Sequence, residues 1–217
     1  MRKLLLIPWM LLTMLAVASA CGETGPVPDE PELIRPGDNG NTDNVEGGGV
    51  NGRCMVLYCS RSGNTERMAR TIQSVLGCDM TAVEPETPYE EDYNAMLDRA
   101  RAELDAIARG DYPAIATSVE DFDDYDIVFI GYPIWFGHMA TPMQAFLHNH
   151  AGLLAGKRIV LFASSGSSGI AASERDAASL LPDAAFEESL LLTSASLGSM
   201  DTRIPAWLEE LGASREE

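Results

Sequence analysis

The sequence predicts an α/β domain built on a parallel sheet. Three features carry that reading: short apolar runs of strand length, helical apolar periods between them, and glycine or proline at the joins. Near-continuous apolar runs suit strands buried on both faces, as in a parallel sheet. "CMVLYC" (54–59) is the first strand. Asn64 to Leu76 follows as a helix with Met68, Ala69, Ile72, Val75 and Leu76 on one face, and Gly77 closes it. "CDMTAV" (78–83) is the second strand, and Ala95 to Ala108 is a helix containing Leu97, Ala100, Leu104 and Ile107. "DIVFIG" (126–131) is the third strand, and Thr141-Pro142 reads as N-cap and N1 proline of a helix through Leu147. "RIVLFA" (158–163) is the fourth strand, Ile170 to Leu180 a helix, and "FEESLLL" (186–192) the fifth strand. A last helix from Thr202 to Leu211 turns Trp207, Leu208 and Leu211 to its apolar side. This alternation calls for right-handed crossovers and a parallel sheet.

Residues 1–20 read as an export signal. Arg2 and Lys3 precede an apolar run, Leu4 to Val17, that is short for a bilayer span, and Ala18-Ser19-Ala20 supplies a small-residue cleavage site. Cleavage directly before Cys21 resembles the lipobox of bacterial lipoproteins, in which that thiol carries a diacylglyceryl group. Ala18 stands where such signals usually have Leu, so ordinary cleavage after the A-x-A triplet is the alternative. With several acyl chains, each adding about 0.8 kcal/mol per buried CH₂, attachment would be firm. Residues 21–52 are rich in Gly, Pro, Asn, Asp and Glu without an apolar period, which describes a lipidated N-terminus and flexible linker ahead of a domain at 53–217. The expected location is outside the cytoplasm, lipid-anchored to a bacterial membrane on its periplasmic or cell-surface side.

Charge narrows the partners. The chain carries 33 acidic and 15 basic side chains, a net −18, and loss of Arg2 and Lys3 with the signal takes it to −20. Nucleic acid is disfavoured, because a phosphate backbone needs clustered Lys and Arg. An acidic surface either steers a basic partner or serves solubility alone. The expected contact with a membrane is through the lipid anchor only, and the sequence leaves the oligomeric state open.

In a parallel sheet, ligands bind beyond the carboxyl ends of the strands, which selects three loops. The first is Ser60-Arg61-Ser62-Gly63-Asn64-Thr65, where hydroxyls, an amide and backbone N–H groups meet a helix N-terminus and form an anion site. It lacks a Walker lysine and a G-x-G-x-x-G, so nucleoside triphosphate and NAD fit poorly. A plain helix cap by Asn64 or Thr65 is the competing reading. The second loop, "GYPIWFGHMATP" (131–142), sets Tyr132, Trp135 and Phe136 in a bend with Pro133, Ile134 and Gly137, suited either to stacking on a planar heterocycle or to plugging the sheet end. The third, "SSGSSG" (164–169), includes Ser165 and Gly166 and permits close backbone approach. "PETPYEEDYNAM" (85–96) could edge this site or lead into a helix, and the second is the reading adopted. His148 and His150 read as surface residues, since no further ligands are spaced for a metal. A G-x-S-x-G nucleophile elbow is absent from 164–169.

"VLYCSRSGNTERMARTI" resembles the flavodoxin phosphate loop at Val56, Leu57, Tyr58, Ser60, Gly63, Thr65, Ala69 and Ile72. "YDIVFIGYPIWFG" with "TPMQAFL" is similar to the second flavodoxin loop, particularly that of exported flavodoxin-like proteins of the short-chain type. The likeness runs from about Arg53 to Gly212. It implies a three-layer sandwich with a five-stranded parallel sheet in the order 2-1-3-4-5, helices on both faces, and noncovalent FMN. The implied cofactor-binding residues are Ser60, Arg61, Ser62, Gly63, Asn64 and Thr65 at the phosphate, with Pro133, Ile134, Trp135, Phe136, Gly137, Ser165 and Gly166 around the ring. His138-Met139-Ala140 departs from relatives that carry an acidic or small residue after the glycine.

In the strand order implied by that resemblance, Cys54 and Cys78 open neighbouring strands at the ligand-distal edge. A disulfide between them would close a loop of about 25 residues worth about 3 kcal/mol, leaving Cys59 free. Three buried small hydrophobes are the alternative. The leading functional reading is an FMN electron-transfer protein serving a basic redox partner. The alternatives are an FMN-dependent quinone or NAD(P)H oxidoreductase of the same fold and a non-redox binding module.

Overall fold

Residues 53–213 are described by the computed structural model; the expected signal, Cys21 and expected linker through residue 52, and residues 214–217, lie outside them. The chain enters the sheet at β1 (Cys54–Tyr58), whose five residues are all buried. It is flanked in parallel by β2 (Asp79–Ala82) and β3 (Ile127–Trp135). β3 pairs in parallel with β5 (Arg158–Ser165), and β5 with β6 (Ala185–Phe186) and β7 (Leu190–Thr193). The sheet order is β2-β1-β3-β5-β6, with β7 also on β5, so β6 and β7 together occupy the fifth position.

The division of that fifth strand is a bulge. Ile159 pairs with Phe186 and Phe162 with Leu190, so three residues, Glu187 to Ser189, stand opposite two, Val160 and Leu161. Such an extra residue is tolerated at a sheet edge, where no further strand needs the ladder. The freed backbone is still used: Trp207 Nε1 donates to the Glu188 carbonyl at 3.1 Å. The uninterrupted strand expected over 186–192 therefore breaks at its charged pair.

Alternate residues of each central strand enter two cores. Val56, Tyr58, Phe129, Val160 and Phe162 face α1 (Asn64–Leu76) and α5 (Met200–Glu210). Met55, Leu57, Val128, Ile130 and Leu161 face the side where α3 (Thr141–His150) and α4 (Ala171–Leu180) contribute Phe146 and Ala177. α2 (Tyr93–Ile107) adds buried Met96 and Ala100. Val75, expected on the apolar face of α1, is exposed, because Met68, Ala69, Ile72 and Leu76 already fill that face.

The stretch expected to be a loop after residue 131 is mostly strand. β3 continues through Trp135, turns at Phe136 (φ 52) and Gly137 (φ 88), and returns as β4 (His138–Met139). Positive φ at both central residues is the type I′ geometry that matches strand twist. Phe at the first position is uncommon, since a bulky side chain disfavours that region. Asp176 on α4 holds the returning strand, accepting from the Met139 N–H at 3.0 Å and lying 3.1 Å from His138 Nδ1. Thr141 is the first residue of α3 rather than its N-cap, which is Ala140. His150 is buried and not a surface residue: its Nδ1 lies 2.8 Å from the Phe146 carbonyl, and Val119 N–H donates to Nε2 at 3.4 Å.

Cys54 and Cys78 form a disulfide, with Cα atoms 4.8 Å apart and a sequence separation of 24. The register Met55↔Asp79 makes them direct neighbours, and both lie in the core beneath α1. Among the described residues Cys59, buried on the opposite face, is the free cysteine.

Two outcomes follow from this packing. Residues 53–217, unfolded without reductant, should show one titratable thiol; three would mean the bridge is not formed. In the folded protein that thiol should resist alkylation at pH 8, because burial pushes Cys59 up from 9.0 to about 12. The stability gained by burying the neutral thiol is then lost as pH rises from 9.0 towards about 12. Gly131→Ala should destabilise the fold by roughly 1–3 kcal/mol in denaturant titrations. A Cβ there would lie 2.1 Å from Cζ of Phe162, a buried ring with little room to move.

Candidate functional site

The first site element is the bend from β1 into α1. Gly63 occupies the N-cap in the left-handed region (φ 80), and no side chain caps the helix. The plain-cap reading of Asn64 or Thr65 therefore fails. The first-turn N–H groups are left without a capping side chain, and they carry the positive end of the helix dipole. Ser62 and Asn64 stand beside them, Asn64 Nδ2 donating to Ser62 Oγ at 3.3 Å. Glu66, the acidic residue of the first turn, is drawn off by Arg70 at 2.7 Å.

Thr65 and Arg61 are committed elsewhere. Thr65 is 1% exposed, and its Oγ1 lies 2.8 Å from Ser164 Oγ at the end of β5. Its backbone N–H, rather than its hydroxyl, is what it offers an anion. Arg61 Nη2 donates to the carbonyls of Glu90 at 3.2 Å and Glu91 at 3.0 Å, and the guanidinium sits 5.7 Å from the Tyr93 ring centre. The bend thus presents mainly neutral donors.

Two adjoining clefts open over the strand ends. The smaller, about 200 Å³, brings together Ser62, Asn64, Ile134, Ser164, Ser165 and Gly166. Tyr93, Met96, Leu97 and Ser194 complete it. The larger, about 500 Å³, includes Ser60, Val83, Tyr89 and Pro142. Arg61, Pro133 and Trp135 border both. Phe136 stands apart: it lines a separate hollow of about 400 Å³ with His138 and Asp176, and Arg101 lies 4.3 Å over its ring. Gly137 serves the turn and lines none of these three spaces.

Trp135 is held by a network that the sequence did not disclose. Tyr89 meets it edge to face, with ring centres 5.1 Å apart at 81°. The Tyr89 hydroxyl donates to Glu103 Oε2 and lies 2.7 Å from Thr141 Oγ1, which also donates to Oε2 at 2.5 Å. Arg99 Nε reaches the other carboxylate oxygen at 2.8 Å, and its remaining nitrogens donate to the Pro88 and Thr87 carbonyls, each at 2.9 Å. The guanidinium lies 4.1 Å over Tyr89. Burial, and then the Glu103 bond, push the Tyr89 hydroxyl well above its ordinary pKa, so it remains a neutral donor. The 85–96 segment does lead into α2, capped where Asp92 accepts from Ala95 N–H at 2.8 Å. It also walls the site, contrary to the reading adopted from sequence. Two tyrosines in an acidic loop were the available signal.

Such an arrangement can hold a phosphate monoester on backbone, hydroxyl and amide donors, with a flat ring against Trp135 and the 164–166 backbone. Among the described residues, no group of three or more His, Cys, Asp or Glu could hold a metal ion.

Comparison with known proteins agrees with this geometry. A protein of Bacteroides eggerthii, classed as a flavoprotein in its crystal structure, is 32% identical, with a TM-score of 0.62 over 74% of this chain and 98% of that one. A Lactobacillus acidophilus flavoprotein solved in complex with FMN shares the fold at 23% identity, with a TM-score of 0.56 over 70% of this chain and 99% of that one. An NAD(P)H dehydrogenase (quinone) of Caulobacter vibrioides is 32% identical over 113 residues, 48% of this chain and 49% of that protein. The chain thus spans about half the length of the curated relatives it matches. The family model described as Flavodoxin matches residues 53–211. With the uncapped phosphate bend, the parallel sheet and this match together, the chain belongs to the flavodoxin family.

Proposed function

We propose that this protein binds FMN and transfers electrons outside the cytoplasm, anchored through Cys21. The observation that carries the FMN reading is the convergence of Ser62, Asn64, Trp135 and the 164–166 backbone on one cleft. The first turn of α1 and the Ser60 and Ser62 hydroxyls would receive the phosphate. Trp135, steadied by Tyr89, would lie against the ring, with Ser165 and Gly166 at its other side or edge. Bound FMN supplies the capacity to take up and release electrons and protons. The protein's part is to bind it, orient it and limit its contact with water. The FMN complex of the L. acidophilus protein supports this reading. The name of the Caulobacter relative supports the alternative, an FMN-dependent quinone oxidoreductase. Consumption of NADH in the presence of a quinone, by the FMN-loaded protein alone, would favour the alternative.

FMN should bind at least tenfold more tightly than riboflavin in fluorescence-quenching titrations, because hydrogen bonds to a charged phosphate contribute roughly 1.5–3 kcal/mol each. Equal affinities would contradict the phosphate bend. Trp135→Ala should weaken FMN binding roughly tenfold, as expected for an aromatic stacking partner. Trp207→Ala should lower stability and leave the affinity of the folded protein unchanged, since Trp207 packs 6.1 Å from Phe129 in the core. If the acidic charge steers a basic redox partner, its association rate should fall steeply as salt is raised, and a flat salt dependence would reduce the charge to solubility. Cys21→Ala should move the exported protein from the membrane fraction to the soluble fraction; retention in the membrane would contradict the anchor.

A further inference from the structure

In the FMN reading the larger cleft is touched only at its border with the smaller one, by Ser60, Arg61, Pro133 and Trp135, because Ser62, Asn64 and 164–166 all line the smaller cleft. Its volume of about 500 Å³ is that of a small-molecule site. Much of its wall is apolar, made by Val83, Pro85, Pro88, Tyr89, Trp135 and Pro142. Tyr89 and Trp135 stand at 81° to each other and form a corner of ring surface. That corner is fixed in place, since Tyr89 is bonded to Glu103 and Thr141 and covered by Arg99.

The charge around this corner has one sign. Glu84, Glu90 and Glu91 line the cleft and are exposed. Among the described residues lining it, Arg61 is the only cation, and its Nη2 is already bonded to the carbonyls of Glu90 and Glu91. An anion entering here would meet three carboxylates and one guanidinium, one of whose nitrogens is already bonded to carbonyls. A neutral planar molecule would meet prolines and two aromatic rings. A planar cation would add attraction to the carboxylates and to the ring faces.

We propose that this cleft binds a planar aromatic molecule bearing no negative charge, beside the flavin, and excludes phosphate-bearing dinucleotides such as NAD(P)H. The proposal rests on the FMN reading only for the identity of its neighbour, because the walls of the cleft are protein. It separates this chain from relatives whose name includes NAD(P)H.

The test uses three bicyclic probes of similar size: quinoline, N-methylquinolinium and naphthalene-2-sulfonate. Each is measured by equilibrium dialysis against the protein with and without FMN at pH 7.5, with NADH as a competitor. Quinoline and N-methylquinolinium should bind in both states, while naphthalene-2-sulfonate should not, and NADH should displace neither. In the Glu84→Gln/Glu90→Gln/Glu91→Gln variant, N-methylquinolinium should weaken by roughly threefold per carboxylate removed, with quinoline unchanged. FMN affinity should also stay unchanged in that variant, which checks its fold. Equal affinity for the three probes, preference for the sulfonate, displacement by NADH, or no binding of quinoline and N-methylquinolinium would each overturn the proposal. Displacement of FMN by the probes would also overturn it, by showing that the flavin itself fills the larger cleft. Failure to bind FMN, with probe selectivity intact, would count against the cofactor reading alone.

Discussion

A buried hydrogen bond between two hydroxyls organises the ligand edge of this protein. Thr65 Oγ1 and Ser164 Oγ lie 2.8 Å apart, 99 residues apart in the chain. One belongs to the first turn of α1, the other to the last turns of the ladder on β5, and β3 runs between them. The bond ties the phosphate bend to the 164–166 backbone across the central strand. With one hydroxyl removed, the other would be buried without its partner, a loss of roughly 1–3 kcal/mol. Gly131 supports the same arrangement from below. It pairs in register with both Tyr58 and Phe162, and the Phe162 ring occupies the space a side chain would need.

The second organising element is the carboxylate of Glu103. It receives Tyr89 and Thr141 on one oxygen and Arg99 on the other, so its charge is matched and both oxygens are hydrogen-bonded. A mostly buried carboxylate without such partners would be costly; with them it fixes several chain segments at once. Through Tyr89 it sets the orientation of Trp135, and through Arg99 it holds the Thr87 and Pro88 carbonyls that shape the cleft wall. The acidic loop owes its position to this interior charge pair rather than to its own composition.

The far edge of the sheet is secured differently. There the Cys54–Cys78 disulfide joins the starts of β1 and β2, and β2 is otherwise only partly buried at the edge. The opposite edge accepts a bulge at Glu187 to Ser189, with Arg158 paired to Glu187 at 2.9 Å. Burial is greatest in strands β1, β3 and β5, which carry the site loops at their carboxyl ends.

Local chemistry made most of the fold legible in the sequence. The apolar runs of β1 and β3, the period of α1 and its closing glycine each depend on neighbours within a few residues. The phosphate bend was legible for the same reason, since Ser60 to Thr65 is one contiguous stretch joining a strand to a helix. The extension of β3 to Trp135 was hidden because its proline and aromatics read as loop until β4 and β5 are there to pair with. His150 read as a surface residue because its partners, Phe146 and Val119, come together only when α3 packs against the segment before β3. The sequence by itself determined that a parallel sheet would place hydroxyl, amide and backbone N–H donors and a tryptophan at one edge. Only the tertiary structure decided that Thr65 would turn its hydroxyl inward to Ser164, that Arg61 would donate to the Glu90 and Glu91 carbonyls from the border of both clefts, and that Tyr89 would hold Trp135. Those outcomes depend on which distant groups reach the same few ångströms, and a hydrogen bond across 99 residues leaves no local pattern to read.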